Sequence, residues 1–400
     1  MKLESLKSQF PVFQHRPSLV YADNASTTQK PRQVIAAVSD FYEFGSANVH
    51  RGLYKLSEEA TVHYENVRAK VAAWIGSNNE RSIAFTKGTT ESINAVAFGF
   101  LLPILKEGDE VVITAMEHHA NLIPWQQVCN QSKAILKVIP VDENGELVLD
   151  SLPEMISPKT KMIAVTDVSN TLGTINPVKD IIRLAHGHNI PVLVDAAQRV
   201  SHYPIRVEEL QADFLVFSAH KMFGPMGVGV LYVREEYQDR IKPLNYGGGA
   251  IKNVEYSHTE FMDYPRNLEA GTPHVSGVLG LGAAIDFMKQ LEMDQVAAHV
   301  ENLGNRLREG LRDQHFRVIG NARKKTGIVS FVHGAIHPHD IAGYLASHDV
   351  AVRAGHHCTQ PLLHGLGIAA TVRASFSVYN TTQDVDNILK ALRGVKKFWS

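Results

Sequence analysis

The stretch Phe214-Leu-Val-Phe-Ser-Ala-His-Lys221 is an apolar, strand-like run that ends in Ser218, His220 and Lys221. It continues through Gly224-Pro-Met-Gly-Val-Gly-Val-Leu-Tyr232, a glycine-rich turn into a second apolar strand. Ser, His and Lys bunched between two such strands place an amine and hydrogen-bond donors at one sheet edge. Desolvation and nearby positive charge lower the pKa of a lysine so placed and make it a Schiff-base nucleophile. Without those neighbours the same residue reads as a solvated loop lysine.

Two upstream stretches share this design. Pro191-Val-Leu-Val-Asp195, with Gln198 one turn beyond, puts a carboxylate at the carboxyl end of a strand, where α/β folds bind ligands. Thr86-Lys-Gly-Thr-Thr-Glu91 joins a strand to a helix, and hydroxyls with free N–H groups at a helix N-terminus suit a phosphate. It lacks the Gly-Lys-Ser/Thr order of a Walker loop. Taken singly, Asp195 reads equally as a helix cap, and Thr89 and Thr90 as ordinary capping residues. Together they offer a phosphate cradle, an imine-forming amine and an acid for a pyridinium nitrogen, the parts that pyridoxal phosphate (PLP) requires.

Around these sites, β-branched runs at 82–86, 110–114, 134–141, 162–166 and 191–194 alternate with helical patterns at 91–100, 120–129 and 178–186. That alternation predicts an α/β domain with a mainly parallel sheet. After about Gly280 the pattern changes to a long charged helix, 293–314, then a strand at 327–332 and a helix at 339–348, which predicts a smaller α+β domain. The run Arg323-Lys-Lys325 reads as a solvated loop.

Composition narrows the function. Lys+Arg total 40 against Asp+Glu 41, so no broad field recruits nucleic acid or an anionic membrane. The stretch 93–105 is too short and too interrupted to span a bilayer, and residues 1–13 lack the apolar stretch of a signal peptide. The two cysteines, Cys129 and Cys358, indicate a reducing compartment, so a cytoplasmic location is expected. The pairs His186/His188 and His337/His339 lack thiolate or carboxylate partners at ligand spacing, and no metal is expected. Cys129 closes an apolar helical stretch and reads as structural. Cys358, in Arg353-Ala-Gly-His-His-Cys-Thr-Gln-Pro361, lies in a polar loop beside cationic side chains, a setting that favours thiolate.

Asp195-Ala-Ala-Gln198, Ser218-Ala-His-Lys221, Gly-Pro-x-Gly-x-Gly and Glu269-Ala-Gly-Thr-Pro273, in this order, resemble the class-V aminotransferase family of fold-type-I PLP enzymes. Within it the chain is similar to the SufS/CsdA type of cysteine desulfurase from about Tyr21 to Asn380. The resemblance implies a large domain over 21–284 built on a mainly parallel seven-stranded sheet. It also implies a C-terminal domain over 285–400 carrying the Cys358 loop, and a segment 1–20 packed on the small domain.

The resemblance assigns the cofactor's imine to Lys221, its pyridinium nitrogen to Asp195 and its ring hydroxyl to Gln198. It assigns the ring face to His119 and the phosphate to Thr89, Thr90, Ser218 and His220. Thr272 would reach the other subunit's phosphate in a homodimer, and His50 and Arg51, in a segment reaching the active site near that interface, would take part in substrate binding. Asn170 and Arg373, with Arg353, would bind the substrate, L-cysteine or L-selenocysteine, and Cys358 would accept its sulfur for a SufE- or CsdE-like acceptor protein. Asp23-Asn-Ala-Ser-Thr27, Thr359 and Arg199 depart from the family pattern. A class-V aminotransferase or lyase needs Lys221 and Asp195 but not Cys358, and a non-catalytic assembly scaffold needs none of them.

Overall fold

The computed structural model describes residues 3–399, so Met1, Lys2 and Ser400 of the expected terminal segments lie outside the described residues. Strand β1 (Val20–Tyr21) stands apart from the main sheet. The apolar runs then give β2 (Ile83–Thr86), β3 (Glu110–Thr114), β4 (Ile135–Ile139), β5 (Thr160–Thr166), β6 (Val192–Asp195), β7 (Phe214–Ser218) and β8 (Gly229–Val233). They form one sheet in the order β2-β8-β7-β6-β5-β3-β4. Five neighbours from β7 to β4 run parallel, and β8 lies antiparallel to both β2 and β7. This is the mainly parallel seven-stranded sheet of fold type I. Its central strands β6 and β7 are buried along their whole length, as a sheet covered on both faces requires.

The antiparallel β8 has a local purpose. A Cβ at Gly229 would stand 2.4 Å from the Gly88 Cα and 2.5 Å from the Thr86 hydroxyl. Only glycine there lets β8 pass directly beneath the turn that leads from β2 into the helix starting at Thr89. That helix begins two residues earlier than the apolar pattern indicates, and it continues beyond Asn94 as a π-helical stretch, Ala95–Leu101.

A hairpin, β9 (Ile251–Val254) with β10 (Thr259–Phe261), projects from this body. Four further strands, β11 (Arg317–Ile319), β12 (Ile328–Val332), and, after the short β13 (Val350–Ala351), β14 (Arg353–Gly355) and β15 (Thr371–Ser375), make an antiparallel sheet ordered β11-β12-β15-β14. Helices Met293–Asp313, Pro338–Ala346 and Thr382–Trp399 accompany it, and Leu307, Leu311, Phe331, Ile341 and Leu392 form a core of its own. The chain's start ties the two bodies together. The Phe10 ring packs 5.7 Å from Phe287 and 4.6 Å from Tyr379, Lys7 bonds Asp384 at 3.0 Å, and β1 pairs with β13.

One buried ion pair fixes the segment behind β2. The Arg68 guanidinium meets the Glu269 carboxylate through two bonds of 2.7 and 2.9 Å, with side-chain exposures of 3% and 6%. Arg68 also donates to the Ile83 carbonyl, and the Phe85 N–H donates to Glu269. Arg68 also keeps Glu65 at 2.7 Å, so losing Glu269 weakens its pairing without leaving it unpaired, at a cost of about 1.5–3 kcal/mol, that of a hydrogen bond to a charged group. Glu269→Gln is therefore expected to lower unfolding free energy by that amount, read as a drop in the urea midpoint at unchanged slope. An unchanged midpoint would contradict the role given to the pair.

Candidate active site

The carboxyl ends of β2, β5, β6 and β7 meet the β14–β15 region around a cavity of about 280 Å³. Its walls carry Thr89, Thr90, Asn170, Asp195, Gln198, Ser218, His220, Lys221, Arg353, Cys358 and Arg373, so most residues singled out in the sequence come together. His50, Arg51 and Thr272 instead line a separate cavity of about 320 Å³ with Gly248, Gly249 and Arg266, and His50 bonds Glu65 at 2.7 Å.

At one end, the Ser218 hydroxyl accepts the Thr89 N–H at 2.8 Å and bonds the Thr89 hydroxyl at 2.7 Å, joining the end of β7 to the helix N-terminus. The loop beyond Ser218 is clamped from the N-terminal side. The His220 carbonyl accepts hydrogen bonds from the Thr27 and Thr28 hydroxyls and from the Lys30 ammonium, at 2.9 to 3.1 Å. The Phe223 N–H donates to Thr28 as well. Lys221 is thus held on a short turn tied down at the His220 carbonyl and the Phe223 N–H.

Deeper in, Asp195 is buried and accepts the Ala197 N–H at 2.9 Å. Burial raises its pKa, while the Lys221 charge pulls it down. Burial lowers the Lys221 pKa in turn, and Asp195 opposes that shift. Gln198 donates one amide hydrogen to the Ala25 carbonyl and keeps the other free to donate.

His118, not His119, stands on the cavity wall. Burial first, and Lys221 next, hold its imidazole down to about 3. The His118 Nδ1 caps the short turn His119–Asn121 by accepting the Ala120 N–H. That turn carries His119 outwards, where its N–H donates to the Cys358 carbonyl at 2.7 Å and its Nε2 accepts the Gln360 N–H at 3.1 Å. The cavity wall thus takes its imidazole from His118, while His119, expected at the ring face, tethers the Cys358 loop.

Arg373, 2% exposed, gathers the far wall. Its Nη1 donates to the Asn170 carbonyl at 2.9 Å, and its Nη2 donates to Asp23 at 3.1 Å and Ser26 at 2.8 Å. Among the described residues its buried Nε meets no hydrogen-bond partner. Asn170 donates to the His357 carbonyl, so Arg373 and the Cys358 loop share one support.

His357 and Cys358 both adopt positive φ, 53° and 57°, conformations that cost non-glycine residues energy and present the Cys358 side chain to solvent. The electropositive setting expected from the flanking residues is only partly realised. The His357 ring turns inward to Thr371 and is held neutral, down to about 3, and Arg353 faces Asp23 at 3.2 Å. The pKa values of the Lys221 and Arg373 side chains, both lowered chiefly by burial, are each drawn back upward in part by the nearby Cys358.

Two departures from the family pattern find partners. Thr359 is buried and bonds Thr171 at 2.7 Å, and Arg199 bonds the buried Asp167 at 3.0 Å. Among the described residues, no group of three or more His, Cys, Asp or Glu side chains is placed to hold a metal, and no helix is long and apolar enough to cross a membrane.

The donor set suits PLP. Hydroxyls and N–H groups converge where its phosphate would sit, a buried carboxylate faces inward, and the amine is one that burial pushes toward its uncharged, nucleophilic form. Fold and cavity together define a fold-type-I PLP enzyme. Residues 20–388 match the aminotransferase class-V family, and the chain belongs to that family.

Over all of its length it is 42% identical to a probable cysteine desulfurase of Halalkalibacterium halodurans, covering 99% of that protein. It is 40% identical to a cysteine desulfurase of Klebsiella pneumoniae, over 99% of this chain and 98% of that one. Among solved structures, the apo cysteine desulfurase of Thermococcus onnurineus superposes with a TM-score of 0.95 at 38% identity. The S-sulfonic acid form of the Escherichia coli desulfurase CsdA superposes with 0.93 at 35%. Both comparisons cover 100% of this chain and 99% of the other.

The buried imidazoles carry a pH signature. His118, His357, His202 and His220 are all pushed by burial from an ordinary 6.5 to about 3 or 4. Below pH 6.5 the unfolded chain takes up protons that the folded chain refuses. Their stabilisation is thus complete above pH 6.5 and is lost progressively as pH falls toward 3–4. The urea midpoint is expected to fall steadily from pH 7 to pH 5, and less steeply in His202→Gln. Equal midpoints at both pH values would refute neutral burial.

Proposed function

We propose that the chain is a PLP-dependent cysteine desulfurase that converts L-cysteine to L-alanine and takes the sulfur onto Cys358 as a persulfide. The observation that carries this reading is the exposed Cys358, on a strained loop opening onto the cavity that holds Lys221, Asp195 and Arg373. The full-length similarity to cysteine desulfurases supports it.

Each residue has a task in this reading. Lys221 would hold the cofactor covalently, Asp195 would pair its ring nitrogen, Gln198 would donate to its ring hydroxyl oxygen, and His118 would cover its face. Thr89, Thr90, Ser218 and His220 would surround the phosphate. When bound, the cofactor supplies the electron sink that lets bonds at Cα and Cβ of the amino acid break.

The Arg373 guanidinium, with Asn170 and Arg353, would anchor the substrate carboxylate, and its unpartnered Nε–H is a donor available for that purpose. Lys221, once its amine is free, accepts the Cα proton at Nζ, the role that a depressed pKa equips it for. Cys358 thiolate then attacks the substrate Sγ. A sulfur–sulfur bond forms, the Cβ–S bond breaks, and its electron pair stays on the carbon skeleton, which is protonated to alanine. The solvent-facing persulfide is open to a SufE- or CsdE-like acceptor or to a thiol.

The same reading extends to finer expectations. The large domain spans 21–284 and the small one 285–400, with 1–20 packed against the latter. Thr272, His50 and Arg51, in their separate cavity, would serve the partner's site in a homodimer. Selenocysteine would be a second substrate, the location would be cytoplasmic, and the sulfur would enter iron-sulfur cluster assembly or a related pathway.

Alanine and sulfide released from L-cysteine in the presence of a reductant test the central claim. Cys358→Ala is expected to keep its cofactor absorbance while losing about 100-fold or more in sulfide release. If the variant releases alanine as fast as wild type, the chain is a different PLP lyase or transaminase.

A further inference from the structure

A third cavity, polar and of about 380 Å³, lies between the helix Met293–Asp313 and the loop 320–325. Arg308, Arg312 and Lys325 face it together with the exposed Arg323 and Lys324, against two carboxylates, Glu301 and Glu309. The run 323–325 is therefore not simply a solvated loop. Lys325 is half-buried and turned inward.

Among the described residues, the cations at its centre are hydrogen-bonded to no carboxylate, and Glu301 and Glu309 act on Arg308 only through space. Arg308, 6% exposed, donates to the Thr326 carbonyl at 3.2 Å and the Asn305 side-chain oxygen at 2.7 Å. Arg312 donates to the Asn321 side-chain oxygen at 3.1 Å, and the Lys325 ammonium donates to the Gly320 carbonyl at 2.6 Å. All four acceptors are neutral. Glu301 is engaged by the Tyr203 hydroxyl at 2.8 Å. The guanidinium of Arg308 is pressed onto bare backbone, since a Cβ at Gly304 would stand 3.2 Å from both of its Nη atoms.

Gathering positive charge in a partly buried space is unfavourable unless an anion compensates it, and guanidinium N–H groups match tetrahedral oxyanions well. The crowding is also felt in the titration of Lys325, which burial and then Arg308 and Arg312 push down to about 7.

We propose that this cavity is a binding site for a small multivalent anion of the phosphate class, separate from the cofactor's phosphate. The site would not be isolated from the catalytic cavity. Residue 325 pairs with Thr174, and the N–H of Ile175 donates to the Lys324 carbonyl, in the loop whose other end carries Asn170 against Arg373.

The test is calorimetric titration of pyrophosphate, and separately of inorganic phosphate, into the cofactor-loaded full chain at an ionic strength fixed with chloride. Cofactor loading keeps the probe out of the catalytic phosphate cradle. Saturable binding of one pyrophosphate per chain is expected, tighter than inorganic phosphate. It should weaken at least tenfold in Arg312→Gln and in Lys325→Gln, with far-ultraviolet circular dichroism unchanged, and should be unaffected in Lys55→Gln on the exposed face of another helix. Heats no different from those of chloride, or wild-type affinity in both Arg312→Gln and Lys325→Gln, would overturn the proposal.

Discussion

The structure depends on bringing the half-buried Lys221 and the buried Asp195 to one cavity. Each alone would carry a desolvation cost of several kcal/mol as a charged group, and each is shifted toward its neutral form by burial while drawn back by the other. A pair in that balance responds to small changes in its surroundings, which is useful chemically and demands rigidity structurally. The rigidity comes from the sheet, because β6 ends in Asp195 and β7 leads into Lys221 three residues after Ser218. Adjacent parallel strands set the spacing of their two ends by backbone hydrogen bonds rather than by side chains. Loop 27–30, hydrogen-bonded to the His220 carbonyl, then prevents the turn from fraying.

The second constraint is Arg373. Its guanidinium joins the N-terminal segment through Asp23 and Ser26 to the Asn170 loop, and it does so from β15 of the antiparallel sheet. The two sheets therefore share one cation at their junction. Since Asn170 also supports the His357 carbonyl, the strain in residues 357 and 358 is held by the same junction that would receive a substrate carboxylate. In the proposed reaction, binding and thiol presentation would be coupled by that shared support.

Much of this was legible because strand ends announce themselves. Period, β-branching and abrupt polarity at Asp195, Ser218 and Thr86 marked where the sheet would stop, and ligand chemistry concentrates there. The histidine pair was not resolvable by the same means. The resemblance put the ring-facing imidazole at His119, whereas His118, extended ahead of the turn that starts at His119, is the one on the cavity wall. Long-range pairing was equally hidden. Arg68 and Glu269 are separated by 201 positions, and nothing in either neighbourhood signals the other. The partner of Arg199 was hidden for the same reason, since a departure from a family pattern reveals a new contact but not its far end.

The same limit explains the basic cavity. Along the chain, Arg323-Lys-Lys325 is a charge run, and charge runs are normally solvated. In the fold, Lys325 turns under the helix whose Arg308 and Arg312 recur at a four-residue spacing and so share one face. Like charges at that spacing repel and weaken a helix. Two of them facing a third cation across a cavity, with neutral oxygens as their hydrogen-bond partners, are hard to explain by stability alone. An arrangement that local stability does not ask for is the usual mark of a binding site, and here the cations outnumber the two carboxylates, Glu301 and Glu309, that share the cavity.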